Sequence, residues 1–156
     1  PCLIRWPEKT DAGVVVSETV ELTDIFATVA EIVGENGVGT SGMDSFSFAA
    51  WLGGGGETGK VRPFSVHHSL KGMFAIRKGD WKLIEGRGSG GFTRPRTLDA
   101  PSPAGQLYHL GKDPQETTNH YEERENIVRE LSKILTSVRS NGGRATAQEL
   151  GFLPNK

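Results

Sequence analysis

The sequence predicts an α+β fold, a small antiparallel sheet of about four strands packed by a long C-terminal helix. That body is preceded by a segment shaped like the last strand and helix of a larger α/β core. Three observations lead there: short strand-like runs after residue 62, an amphipathic helical stripe near the C-terminus, and a separate strand-then-helix pattern before residue 53.

Residues 2–6 alternate weakly and stop at Pro7, as a short strand does when the next residue lacks a ladder donor. A turn over 8–13 and a β-branched run over 14–16 follow. From 23 to 33 the period changes: Ile25, Val29, Ile32 and Val33 fall at helical spacing, Thr23 or Asp24 can cap the start, and Gly34 suits the end. A short helix is expected within 43–52, carrying Phe46, Phe48, Trp51 and Leu52 towards a core. The glycine run that begins at Gly53 has little conformational restriction and reads as a connector. The expected division is therefore 1–52 as the end of an α/β domain, 53–62 as linker and 63–156 as an α+β subdomain.

Strands are expected over 63–69, 73–77, 81–85 and 106–110. The second and third are joined by Lys78-Gly79-Asp80, a connection in which glycine can take a left-handed position. Residues 86–105 hold five glycines and three prolines and form a long loop, a feature more often functional than idle in a compact domain. Over 122–139, Ile127, Leu131, Ile134, Leu135 and Val138 form an apolar stripe opposite Glu130, Lys133 and Arg139. Gly142-Gly143 ends that helix, and Leu150, Phe152 and Leu153 are the expected anchors of the tail.

Composition narrows the function. The 156 residues fit one domain of moderate core, and the net charge of −1 gives no overall field for a nucleic acid. No apolar run approaches the roughly 20 residues that span a bilayer. One cysteine, Cys2, excludes an internal disulfide and a multi-cysteine zinc site. The four histidines lack the spacing that binds zinc from one helix face. With no initiator Met and no secretory leader, the opening Pro1-Cys2-Leu3-Ile4-Arg5-Trp6-Pro7 reads as the interior of a longer chain.

Two groups of residues could meet a ligand. His67 and His68 are adjacent on a strand, so they point to opposite faces and one can face a substrate; the plainer reading is a half-buried histidine bonded at a sheet edge. In the loop from Gly86 to Arg96, glycines allow close backbone approach, Arg87, Arg94 and Arg96 can meet an anion, and Phe92 can stack on a sugar. A mobile, solvated loop is the equal alternative. His67, His68, Ser89 and Arg94 are taken as candidate substrate-binding residues. His109 and His120 read as structural. Asp113 before Pro114, with Glu116 and Asn119, reads as a turn held by side-chain to backbone bonds.

Three stretches together resemble the type I sulfatases. Pro1-Cys2-Leu3-Ile4-Arg5-Trp6-Pro7 followed by Thr23-Asp24-Ile25-Phe26-Ala27-Thr28 is similar to that family's P-x-I-x-R-W-P strand and the helix after it. Gly72-Met73-Phe74-Ala75-Ile76-Arg77-Lys78-Gly79-Asp80-Trp81-Lys82-Leu83-Ile84 is similar to a late hairpin. Leu107-Tyr108-His109-Leu110-Gly111-Lys112-Asp113-Pro114-Gln115-Glu116-Thr117-Thr118-Asn119 matches L-Y-x-L-x-x-D-P-x-E-x-x-N.

The resemblance implies a C-terminal portion of a sulfatase with an alkaline-phosphatase-like α/β core, acting on a sulfated small molecule or glycan. It implies calcium and a formylglycine made from C/S-x-P-x-R in the parent enzyme, and export to the periplasm or exterior. Cys2-Leu3-Ile4-Arg5 is not that motif, so Cys2 is expected as a packed strand thiol and no catalytic residue, cofactor or metal ligand is expected in this fragment. Its expected partners are substrate and the rest of its own catalytic domain, with no nucleic acid and no membrane. The competing readings are a non-catalytic glycan-binding or interaction module and a phosphoryl-transfer relative.

Overall fold

The computed structural model describes residues 2–35, 42–53, 61–92, 94 and 101–153. The chain divides into two compact units, Pro1–Arg62 with Gly142–Lys156, and Pro63–Asn141. The stretch after residue 141, expected with the second unit, clusters with the first. The glycine connector of 54–60 lies outside the described residues.

In the second unit, β1 (Ser65–His68), β2 (Phe74–Lys78), β3 (Trp81–Ile84) and β4 (Gln106–His109) form one antiparallel sheet in the order β1-β2-β3-β4. Lys78 pairs with Trp81, so the β2–β3 turn is Gly79-Asp80, and Gly79 has φ 58°. The register aligns Val66, Ile76, Leu83 and Leu107 on one face. The helix Glu125–Asn141 packs there against β2 and β3, burying Leu131, Ile134 and Leu135. Ile76, Leu83, Leu107, Leu131 and Leu135 are each at most 1% exposed. Each such side chain stabilises the unit by about 1.5–3 kcal/mol. Glu130 and Arg139 do not simply face solvent: they reach back to Lys78 and to Glu85.

The first unit contains a helix at Asp24–Ile32, a single turn at Ala49–Leu52 and a helix at Gly143–Glu149. Numbered in chain order, the four helices are α1 (Asp24–Ile32), α2 (Ala49–Leu52), α3 (Glu125–Asn141) and α4 (Gly143–Glu149). The strand expected over 2–6 does not form, the β-branched run over 14–16 is no strand either, and Cys2 is exposed rather than packed. The apolar positions of α1 face outward. Ile25, Phe26, Val29, Ile32 and Val33 are 40–67% exposed, while Asp24, Ala27 and Thr28 face inward.

Phe46 and Phe48 are buried as expected, and buried polar groups share the core with them. The Asp24 carboxylate, fully buried, accepts from Arg62 Nε at 2.9 Å and Nη2 at 2.7 Å, and from the Phe46 and Glu21 amides. Arg62 also bonds Glu21 and stands over the Phe46 ring. Thr23 makes no side-chain cap; instead Ser45 Oγ accepts from the Ala27 amide and donates to the Thr23 carbonyl. The tail is likewise held by polar groups: the Gly143 amide donates to Asp44 and the Arg144 amide to the Met43 carbonyl. Its deeply buried residues are Thr146 and Ala147, whereas Leu150 and Phe152, read as anchors, are 37% and 47% exposed.

Candidate functional site

The β1–β2 turn and the glycine-rich loop after β3 meet. Ser69 closes the turn: its amide donates to the Met73 carbonyl, and its hydroxyl accepts from the Met73 amide. The Lys71 amide then donates to the Gly90 carbonyl at 3.1 Å. Gly90 has φ +60°, and a Cβ there would stand 2.6 Å from Ser69 Oγ, so only glycine fits this approach. The loop is thus packed along its first part, with Gly88 and Gly90 buried.

His68 lies on the α3 side of the sheet beside Phe74, ring centroids 5.7 Å apart, and its Nδ1 is 2.9 Å from the Ser69 carbonyl oxygen. The Arg139 guanidinium stands over the same Phe74 ring at 4.7 Å and pairs with Glu85. His67, one residue earlier, pairs with Ala75 on the opposite face. Both histidines are exposed. Ser89 Oγ accepts from the Gly91 amide, and Arg94 is exposed. His68, the turn and Ser89 therefore belong to one end of the sheet, while His67 looks away.

Arg87 is bonded within its own loop. Its Nε donates to the Ser102 and Pro103 carbonyls, closing the base of the loop. Gln106 reinforces the closure by donating to the Gly86 and Gly88 carbonyls. Phe92 is 82% exposed. Arg96 lies outside the described residues.

The other two histidines flank Trp81 edge-on, His109 at 4.7 Å and His120 at 5.9 Å between ring centroids. His120 Nδ1 meets Glu123. The acidic turn beyond β4 is self-bonded. Asp113 accepts from the Thr117 and Thr118 amides and the Thr117 hydroxyl, and these bonds, the Thr118 amide first, hold its carboxyl below the usual aspartate range. Glu116 turns away at φ 57° to pair with Lys82 at 2.6 Å. Burial, together with the Glu116 and Asp113 charges, raises the Tyr108 phenol. Asn119 extends the sheet edge: its oxygen accepts from the Leu107 and Tyr121 amides and its NH2 donates to the Gly105 carbonyl. Nothing in the local sequence signals that long-range role.

In the first unit, Cys2, Ile4, Val14, Val16, Phe48 and Trp51 are among the residues lining a cavity of about 150 Å³. Among the described residues, no group of three or more His, Cys, Asp or Glu side chains could hold a metal ion. No helix among them is long and apolar enough to cross a membrane.

The chain is 31% identical over 143 residues to an N-acetylgalactosamine-6-O-sulfatase of Bacteroides thetaiotaomicron, a match that takes in 90% of this chain. The homologues of this chain are sulfatases. A steryl-sulfatase of Mus musculus is 32% identical over 77 residues, 49% of the chain. A solved structure, described under the metabolism of multiple glycosaminoglycans by Bacteroides thetaiotaomicron, is 30% identical, covers 75% of this chain and superposes with a TM-score of 0.60. No protein-family model matches. The chain spans 27% and 12% of the two sulfatase relatives and 24% of the solved sulfatase-related chain, which fits a C-terminal sulfatase portion.

Proposed function

We propose that this chain is the C-terminal part of an enzyme that hydrolyses sulfate esters of a carbohydrate, contributing structure and substrate contacts rather than the nucleophile. The observation that carries the reading is sulfatase similarity along 90% of the chain, in a sequence that also holds the strand, hairpin and D-P-x-E-x-x-N patterns in family order. The name of that relative makes a 6-sulfated N-acetylgalactosamine the first substrate to try.

The residues present do not fit the family's calcium and formylglycine. Cys2 is exposed and sits in Cys2-Leu3-Ile4-Arg5, without the proline of C/S-x-P-x-R, and the described side chains assemble no oxygen-rich cluster. Catalysis is assigned to the remaining length that the relatives possess. Residues 1–52 are read as the end of that catalytic domain, and the outward apolar face of α1, Ile25, Phe26, Val29 and Ile32, as the surface on which the rest of it packs. Export to the periplasm or exterior follows from the same reading. His67, His68, Ser89 and Arg94 remain the proposed substrate contacts.

The test is to assay the natural polypeptide that carries this chain on sulfate and phosphate esters side by side. Sulfate release from a 6-sulfated N-acetylgalactosamine is expected. Cleavage of phosphate esters alone would replace this reading with the phosphoryl-transfer one.

A further inference from the structure

We infer that Lys71 and Phe92 form a binding lip for an anionic sugar, at the place where the β1–β2 turn is bonded to the glycine-rich loop. This rests on the carbohydrate-sulfatase reading and names a contact outside its proposed residues. The Lys71 amide is bonded to the Gly90 carbonyl, two residues from Phe92, and the Lys71 and Phe92 side chains are both exposed. Leu70 is 72% exposed and Phe92 82%, which places two large apolar groups within two residues of that bond. Apolar groups presented together on an otherwise polar surface mark a contact site.

The charge at the lip is one-sided. Residues 69–73 and 86–94 contain Lys71, Arg87 and Arg94 and no carboxylate, in a chain of net charge −1. Elsewhere in the unit, the cations that reach the sheet are used: Lys78 by Glu130, Lys82 by Glu116 and Arg139 by Glu85. Arg87 gives its Nε to the Ser102 and Pro103 carbonyls. Among the described residues, Lys71 has no such partner. An exposed cation whose backbone is bonded two residues from an exposed aromatic residue suits a sugar ring that carries a sulfate or a carboxylate, with Phe92 offering a stacking face and Lys71 an ammonium for the anion.

The experiment uses the natural polypeptide carrying this chain and the variants K71A, K71R and F92A, with melting curves to confirm folding. Calorimetry measures binding of a tetrasaccharide of alternating uronate and 6-sulfated N-acetylgalactosamine, its desulfated form and its carboxyl-reduced form; hydrolysis of 4-nitrophenyl sulfate is followed in parallel. The expected result is a roughly tenfold weaker Kd for K71A and F92A, corresponding to about 1.4 kcal/mol. K71R should bind nearly as wild type. Whichever single-anion tetrasaccharide loses the K71A effect identifies the anion read. Unaltered Kd in K71A and F92A, or no binding by the wild type, overturns the lip. Binding that depends on Lys71 without any sulfate hydrolysis upholds the lip and removes the sulfatase reading.

Discussion

Asp24 and Arg62 are joined by two hydrogen bonds of 2.9 and 2.7 Å across 38 residues of chain, with the Asp24 side chain fully buried. The pair fixes the start of α1, the Phe46 amide and the end of the first unit's N-terminal segment at a single point. Because both charges are out of water, their value lies in being matched, and loss of one leaves the other stranded.

Replacing either partner should therefore be severe. D24A or R62M is expected to destabilise the protein by about 3–5 kcal/mol, and the double variant by less than the sum, since it strands no charge. Urea denaturation of the four proteins in a double-mutant cycle checks this. Additive losses would show that the two residues do not act as a pair.

Asn119 should matter to the sheet although it lies outside it. N119A leaves the Leu107 and Tyr121 amides without their acceptor. A loss of about 1–3 kcal/mol is expected for each donor that stays buried and unmet. Faster hydrogen exchange at Leu107, compared with Leu83 in the neighbouring strand, would locate the damage.

The acid limb of stability should carry a contribution from Asp113. Its folded pKa lies below the ordinary 3.8, because the Thr118 and Thr117 amides bond the ionised form. A depressed carboxyl stabilises the fold fully above its unfolded pKa and loses that contribution as pH falls through the lower, folded value. D113N should thus be less stable than wild type at neutral pH, with the gap closing below pH 3.8. Thermal melts from neutral to acid pH measure it, and a gap that stays constant would contradict the assignment.

Gly90 holds the loop to the turn through a left-handed backbone that a side chain resists. G90A is expected to cost about 1–3 kcal/mol from backbone strain alone, apart from the crowding against Ser69. Its effect should be local, with raised amide exchange at Lys71 and little change at Leu131 on α3. Equal loosening at both positions would mean that the loop is not an independent element.

If residues 1–52 close a larger catalytic domain, as proposed, the outward face of α1 is covered there. F26D should leave the 156-residue chain as stable as before, since Phe26 is already 51% exposed. In the natural-length protein the same change should lower stability and soluble yield by burying a charge against apolar partners. Comparing melting curves of the two lengths, with and without F26D, decides it.

Where residues interact with near neighbours, the sequence was sufficient. The β2–β3 hairpin follows from alternation around Gly79, α3 from its 3.6-residue stripe, and the Asp113 turn from a carboxylate placed ahead of Pro114 and two donors. These are local consequences of period and side-chain reach. The candidate site was half legible: His68 and Ser89 were visible as residue types, but not that Gly90 would bond Lys71 and draw the turn and loop together.

Tertiary structure alone decided the rest. The apolar positions of α1 have helical spacing, yet periodicity states only that one face is apolar, not which neighbour covers it; here Asp24 and Thr28 turn inward because Arg62, Phe46 and Ser45 arrive from distant sequence to satisfy them. Residues 2–6 and 14–16 form no strand for a related reason, since a strand exists only beside a partner. Period and turn chemistry belong to a few adjacent residues, whereas burial, charge pairing and ladder formation belong to groups that only folding brings together.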